Sequence, residues 1–132
     1  MRVLLIGFTV LSTMLFSAPA MTSELQPVMK SIGAGFKATF KNASRGINSE
    51  EAKLVVLNLK NDIEKASSLL PAGVNPGDTE IVARYQAMMQ ELLEKSILLE
   101  DSFSTNPLDK MATIGILKEM DALRKKGHAV FK

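Results

Sequence analysis

The stretch SEEAKLVVLNLKNDIEKASSLLPAGVNPGD, Ser49 to Asp78, decides the fold class. Ala52, Val55, Val56, Leu59, Ile63, Ala66 and Leu70 recur at three- and four-residue spacing, which lays them along one face of a helix. Asn48 or Ser49 can cap that helix, and Glu50 and Glu51 put acids in its first turn, where the helix dipole favours them. The helix reads from about Ser49 to Leu70. PAGVNPGD then ends it with two prolines and two glycines.

The same period repeats on both sides. Upstream, a helix is expected from about Glu24 to Ser44, with a capping box of Ser23 and Gln26 and a stripe of Leu25, Met29, Ile32, Phe36 and Phe40. Pro27 falls near the first turn, where its missing N–H costs little. Downstream, Asp78 caps a helix from about Thr79 to Ser104, with Ile81, Val82, Tyr85, Met88, Met89, Leu92, Leu93, Ile97 and Phe103 on its apolar face. A fourth helix is expected from about Pro107 to Phe131. Asn106 would be its cap and Pro107 its first residue, with Leu108, Met111, Ala112, Ile116, Met120, Leu123 and Val130 facing inward. No strand pattern competes. Four helices joined by short loops predict an all-α fold, an antiparallel up-down-up-down four-helix bundle.

The chain has 132 residues, enough for one domain with one core. Its first twenty residues read as a leader outside that core: Arg2, then the apolar run VLLIGFTVLSTMLF, then an A-x-A site at Ala18-Pro19-Ala20. The run is shorter than the roughly 20 residues of a membrane span, so a cleaved signal peptide over 1–20 and a bundle domain over 21–132 are expected. A secretory leader implies an extracytoplasmic home, the periplasm in a Gram-negative cell. The absence of cysteine leaves stability there to packing or to a ligand. A net charge of +2, mixed along the chain, and only 5% aromatic residues argue against a nucleic-acid binder.

The only histidine, His128, stands in the terminal stretch LRKKGHAVFK. In an up-down-up-down bundle the end of helix four lies beside the start of helix one. Met29 sits about 8 Å past Glu24, and His128 about 5 Å before Phe131, at ~1.5 Å per residue. The two are therefore at similar depth if the first and last helices are neighbours. His128 shares a face with Leu117, Met120, Arg124 and Phe131. Two readings of each residue stand. His128 is a solvated side chain at a helix C-terminus, or it is a ligand. Met29 is a core filler, or it is a ligand. Together a thioether and an imidazole can serve as a haem ligand pair that fills both axial positions, which is electron-transfer chemistry rather than catalysis.

At these residues the chain resembles the cytochrome b562 family, periplasmic four-helix bundles that hold one haem non-covalently. LQPVMKSIGAGFKATF, Leu25 to Phe40, places a methionine early in the first helix, and LRKKGHAVFK carries the spacing arginine, three residues, histidine, two residues, aromatic, basic residue. The resemblance implies Met29 and His128 as axial ligands to iron and Arg124 near a haem propionate. It also implies a third-helix wall formed here by Tyr85, with Met88 and Met89 beside it. The related cytochromes c′ end in C-x-x-C-H. Here Arg124 and Gly127 stand at the two cysteine positions, so the cofactor implied is haem b, removable and not covalently attached.

The function expected on these grounds is one-electron transfer with redox partner proteins by a monomer or weak dimer that is not an enzyme. The competing expectation is a haem-free helical bundle with a binding or stress-related role. Other chemistries lack residues. A single histidine and no cysteine disfavour a zinc site. Glu50/Glu51 and Glu100/Asp101 are adjacent in sequence and do not face each other on a helix. SIGAGFK lies inside a helical pattern, so Gly33 and Gly35 read as room for close helix approach or for a flat ligand.

Overall fold

The computed structural model describes residues 18–131. They form α1 (Ala18–Ser44), α2 (Glu50–Ala66), α3 (Thr79–Phe103) and α4 (Lys110–Phe131), with no strand among the described residues. The expected fold class is the observed one. Each helix packs on its neighbours in sequence, and α1 closes the ring against α4. Between α3 and α4, Met88 abuts Gly127, Lys95 bridges to Glu119 at 2.7 Å, and Ser102 hydrogen-bonds Thr113. Between α1 and α2, Ser31 donates to Asp62 at 2.6 Å and Gly35 lies against Leu59. Numbers rise along one helix as they fall along the next, so these neighbours run antiparallel.

Of the signal segment expected over 1–20, residues 1–17 lie outside the described residues. Helix α1 begins at Ala18, so Ser23 is an interior residue of the helix rather than its cap, and Pro27 is interior too. Among the described residues no helix is long and apolar enough to cross a membrane.

Two caps match expectation. Ser49 Oγ accepts the Ala52 N–H at 3.2 Å, and Asp78 Oδ1 accepts the Ile81 N–H at 3.2 Å. Asn48, the alternative cap, instead donates its amide to the carbonyls of Phe103 and Thr105, tying the α1–α2 turn to the end of α3. Besides the start of α1, two helix ends differ from expectation. Helix α2 stops at Ala66, where the Ser67 and Ser68 hydroxyls donate back to Glu64 and Lys65 carbonyls at 2.6 and 2.8 Å. Helix α4 starts at Lys110, because Asp109 rather than Asn106 supplies the cap. Its Oδ1 accepts the Ala112 N–H at 3.1 Å, leaving Pro107 in the loop and Leu108 buried.

The core stripes are shifted from those read off apolar letters alone. On α1 the buried line is Leu25, Val28, Ile32, Thr39 and Ala43, so Met29 and Phe40 sit at its margin, 41% and 36% exposed. On α3 the line runs Tyr85, Met89, Leu92, Ser96, Leu99 and Phe103, which turns Ile97 outward. On α4 it runs Thr113, Leu117, Met120 and Gly127. Met111 and Val130 face solvent, and Ala112 is exposed. The common cause is the buried hydroxyl. Thr39, Ser96 and Thr113 each donate to a carbonyl three or four residues back, so burial leaves no polar group unpaired.

Candidate functional site

One end of the bundle gathers the start of α1, the loop at Pro71, the first turns of α3 and the end of α4. Between them lies a cavity of ≈ 330 Å³, within the usual range for small-molecule sites. Met29 and His128 both line it, from α1 and α4 respectively, and so do Arg124, Tyr85 and Met88. All five residues singled out from the sequence thus reach one cavity. Leu25, Ile32, Met89, Leu92 and Phe131 make the rest of its wall apolar.

The stripe shifts explain why the cavity sits there. Met29 lies on the α4 side of the α1 core line rather than at its centre, so its thioether lines the gap between α1 and α4. On α4 the true core line passes through Leu117, Met120 and Gly127, so His128 is one position off it, on the side toward α1. His128 is exposed at the cavity rim, whereas Tyr85 forms the inner wall at 3% exposure.

Glycine provides the room. A Cβ placed on Gly33 would meet nothing within 4 Å, so the cavity is open above it. Gly35 does the other job expected of this pair, with its Cα facing Leu59 at ordinary contact distance, 3.5 Å from a would-be Cβ. Gly127 is buried because the Met88 thioether fills the space a side chain would need; a Cβ there would collide with the Met88 sulfur and terminal methyl. The weak helix former near the end of α4 is thus the residue that lets Met88 lie against the helix.

Tyr85 is fixed by two contacts. Its hydroxyl donates to the Ala66 carbonyl at the end of α2, 2.9 Å away, and its ring meets Phe131 edge-on at 5.3 Å. Burial pushes its phenol up to about 12. Arg124 donates to Asp121 Oδ1 through Nη2 at 2.7 Å and Nε at 3.2 Å, and its guanidinium carbon stands 6.0 Å from the Phe36 ring centre. Hydrogen bonds from Arg124 and Lys125 hold the Asp121 carboxyl below its ordinary value. The guanidinium is therefore anchored at the rim and keeps donors to spare.

Phe131 and Leu92 line the cavity and Phe36 lies beside Arg124 at its rim, and the sequence singled out none of the three. Phe131 was visible as the aromatic of the terminal motif, and Phe36 as a stripe member; nothing marked Leu92 as different from other core leucines. One imidazole, three thioethers from Met29, Met88 and Met89, the Tyr85 ring and one anchored guanidinium share a cavity whose other walls are mostly apolar, a donor set compatible with a metal carried in a flat amphipathic group. Among the described residues no three His, Cys, Asp or Glu side chains cluster so as to hold a free metal ion. No family model, no curated protein and no solved structure matches the chain.

Proposed function

We propose that the chain is a b-type cytochrome that holds one haem non-covalently between α1 and α4 and passes single electrons. The observation that carries this reading is the meeting of Met29 and His128, from opposite ends of the polypeptide, at one apolar cavity. When bound, haem supplies one-electron chemistry between ferric and ferrous iron, and a thioether ligand raises its potential by favouring the ferrous form. In this reading His128 offers the imidazole nitrogen and Met29 the sulfur. Tyr85, Met88, Leu92 and Phe131 exclude water from the inner wall. Arg124 offers cationic donors at the rim for a carboxylate. The resemblance of LQPVMKSIGAGFKATF and LRKKGHAVFK to the cytochrome b562 family supports the same assignment, and the leader over 1–20 would place the protein in the periplasm.

The test is haemin titration of purified protein followed by absorption spectra of the oxidised and reduced forms. A sharp low-spin spectrum at one haem per chain is expected. His128→Ala should weaken haemin binding about 100-fold or more, ~2.8 kcal/mol. Met29→Ala should retain haem and become able to bind carbon monoxide when reduced. Spectra unchanged in both variants, or wild-type protein that stays colourless, would refute the assignment; the colourless outcome leaves the haem-free bundle.

A further inference from the structure

We infer that the α1–α4 seam beside the cavity is the docking surface for an acidic partner protein. This rests on the electron-transfer reading above, and names the kind of partner and where it binds. The sequence has no Asp or Glu between Glu24 and Glu50, and none after Asp121. The first acid-free stretch supplies Lys30, Lys37, Lys41 and Arg45; the second supplies Arg124, Lys125, Lys126 and Lys132. The first stretch covers most of α1 and the second ends α4, and those two helices are neighbours. From these two stretches, Lys37, Lys41 and Arg124 come to one surface. Asp121, the last acid in the sequence, pairs with Arg124 and Lys125 at 2.7 and 3.2 Å, so Lys37 and Lys41 carry most of the groove's net charge.

The seam is also shaped to receive something. A groove of ≈ 530 Å³ is lined by Gly33, Phe36, Lys37, Phe40, Lys41 and Arg124. Its floor is aromatic, with the Phe36 and Phe40 rings 6.5 Å apart, and its rims are cationic. Gly33 and Arg124 line both this groove and the cavity, so a partner seated in the groove touches the rim where Met29 and His128 lie. An apolar centre ringed by like charges is the anatomy of a transient protein interface, in which the charges steer encounter and the centre supplies contact. Five of its six lining residues come from α1 and one from α4, and this aromatic strip flanked by cations matches the mixed apolar and acidic face of a folded protein better than the uniform headgroups of a lipid surface. Electron transfer requires such close approach to the cavity edge.

The experiment is an NMR titration of isotopically labelled protein with an acidic flavodoxin at low salt, run beside vesicles containing one quarter anionic phospholipid. Flavodoxin should shift amides of residues 30–45 and 121–128, and the shifts should fade as salt rises past ~0.2 M. Lys37→Glu/Lys41→Glu should weaken the interaction about tenfold, while Lys65→Glu on α2 should not. Circular dichroism checks that each variant is folded. Shifts scattered over all four helices, no shifts, equal loss in the Lys65 variant, or vesicles outcompeting flavodoxin for the seam would each overturn the inference. Haemin uptake is measured on the same sample. Groove binding by protein that takes no haem keeps the docking surface and removes the cytochrome reading; haem uptake without groove binding does the reverse.

Discussion

Gly127→Ala tests how the cavity is built. In an exposed helix interior, glycine to alanine gains about 0.8–1 kcal/mol. Gly115 is such a site: it is exposed, lies on the same helix, and a Cβ there meets nothing within 4 Å. Gly115→Ala should therefore deliver most of that gain, raising the urea midpoint by about 0.5 M at an m-value of ~2 kcal/mol/M. At Gly127 the new Cβ would land on the Met88 sulfur and methyl. If Met88 were held, overpacking would cost ~1–3 kcal/mol. The colliding atoms are the end of a flexible chain, and Met88 already lines the cavity, so they can swing into it. Rotamer adjustment of that kind costs about 0.5–1.5 kcal/mol, and the helical gain is reduced because Gly127 lies in the last turn or so of α4.

The two contributions nearly cancel. Gly127→Ala should be neutral to about 1 kcal/mol destabilising, which is ~1–2 kcal/mol worse than Gly115→Ala. The displaced thioether should also occupy part of the cavity and weaken haemin binding about tenfold, ~1.4 kcal/mol. Urea denaturation of the haem-free protein measures the first effect and haemin titration the second. A Met88→Ala background removes the collision, so there Gly127→Ala should recover the helical gain. Additivity of the two substitutions within ~0.5 kcal/mol would refute the reasoning, because it would mean that Met88 does not occupy the Gly127 space.

Three further outcomes follow from single contacts. Tyr85 keeps its proton to about pH 12 when folded but loses it near 10 when unfolded. Between those values the unfolded chain binds fewer protons, so stability is intact below pH 10 and falls as pH rises toward 12, by up to about 2 kcal/mol; urea midpoints should show this slope and Tyr85→Phe should abolish it. Asp109→Ala should cost about 1 kcal/mol through loss of the α4 cap while Asn106→Ala costs less, as thermal unfolding would read out; the reverse order would restore the cap expected from sequence. Asp121 has the opposite pH sense: its folded value lies below the ordinary 3.8, so its contribution is present above that pH and is lost as pH falls through the folded value. Asp121→Asn should flatten that acid limb in urea midpoints taken from pH 5 to 2.

The helices were legible because four segments each repeat apolar residues with a helical period, and two of the four expected caps, Ser49 and Asp78, are the ones observed. Ser49 and Asp78 compete with no better neighbour, and both caps stand. Asn106 did compete with one. Asp109 also precedes a helical run, and a charged carboxylate at a helix N-terminus adds the dipole interaction to the hydrogen bond. The stripe phases were less legible, because polarity was read from residue type alone. Ser96 and Thr113 occupy the centre of the core, and nothing apolar marks them. Their hydroxyls satisfy themselves on the preceding turn, which is a property of geometry within the helix rather than of composition.

That phase error bears directly on the site. A methionine at the centre of the α1 stripe would be buried against the whole bundle, and its sulfur would have no access to a ligand entering between α1 and α4. Moving the core line to Val28 and Thr39 leaves Met29 on the flank that faces α4, partly exposed. The same logic applies to His128, which stands next to the buried Gly127 rather than in the core line itself. Both side chains are exposed at the rim while Tyr85 closes the inner wall, so the site has an apolar back and an open mouth through which the proposed cofactor would enter. The two glycines set that balance from opposite sides, Gly33 by leaving the space above α1 empty and Gly127 by letting Met88 lie back against α4. The glycines were visible in the sequence; their pairing across the α1–α4 gap depends on helix order and register, which only the assembled bundle supplies.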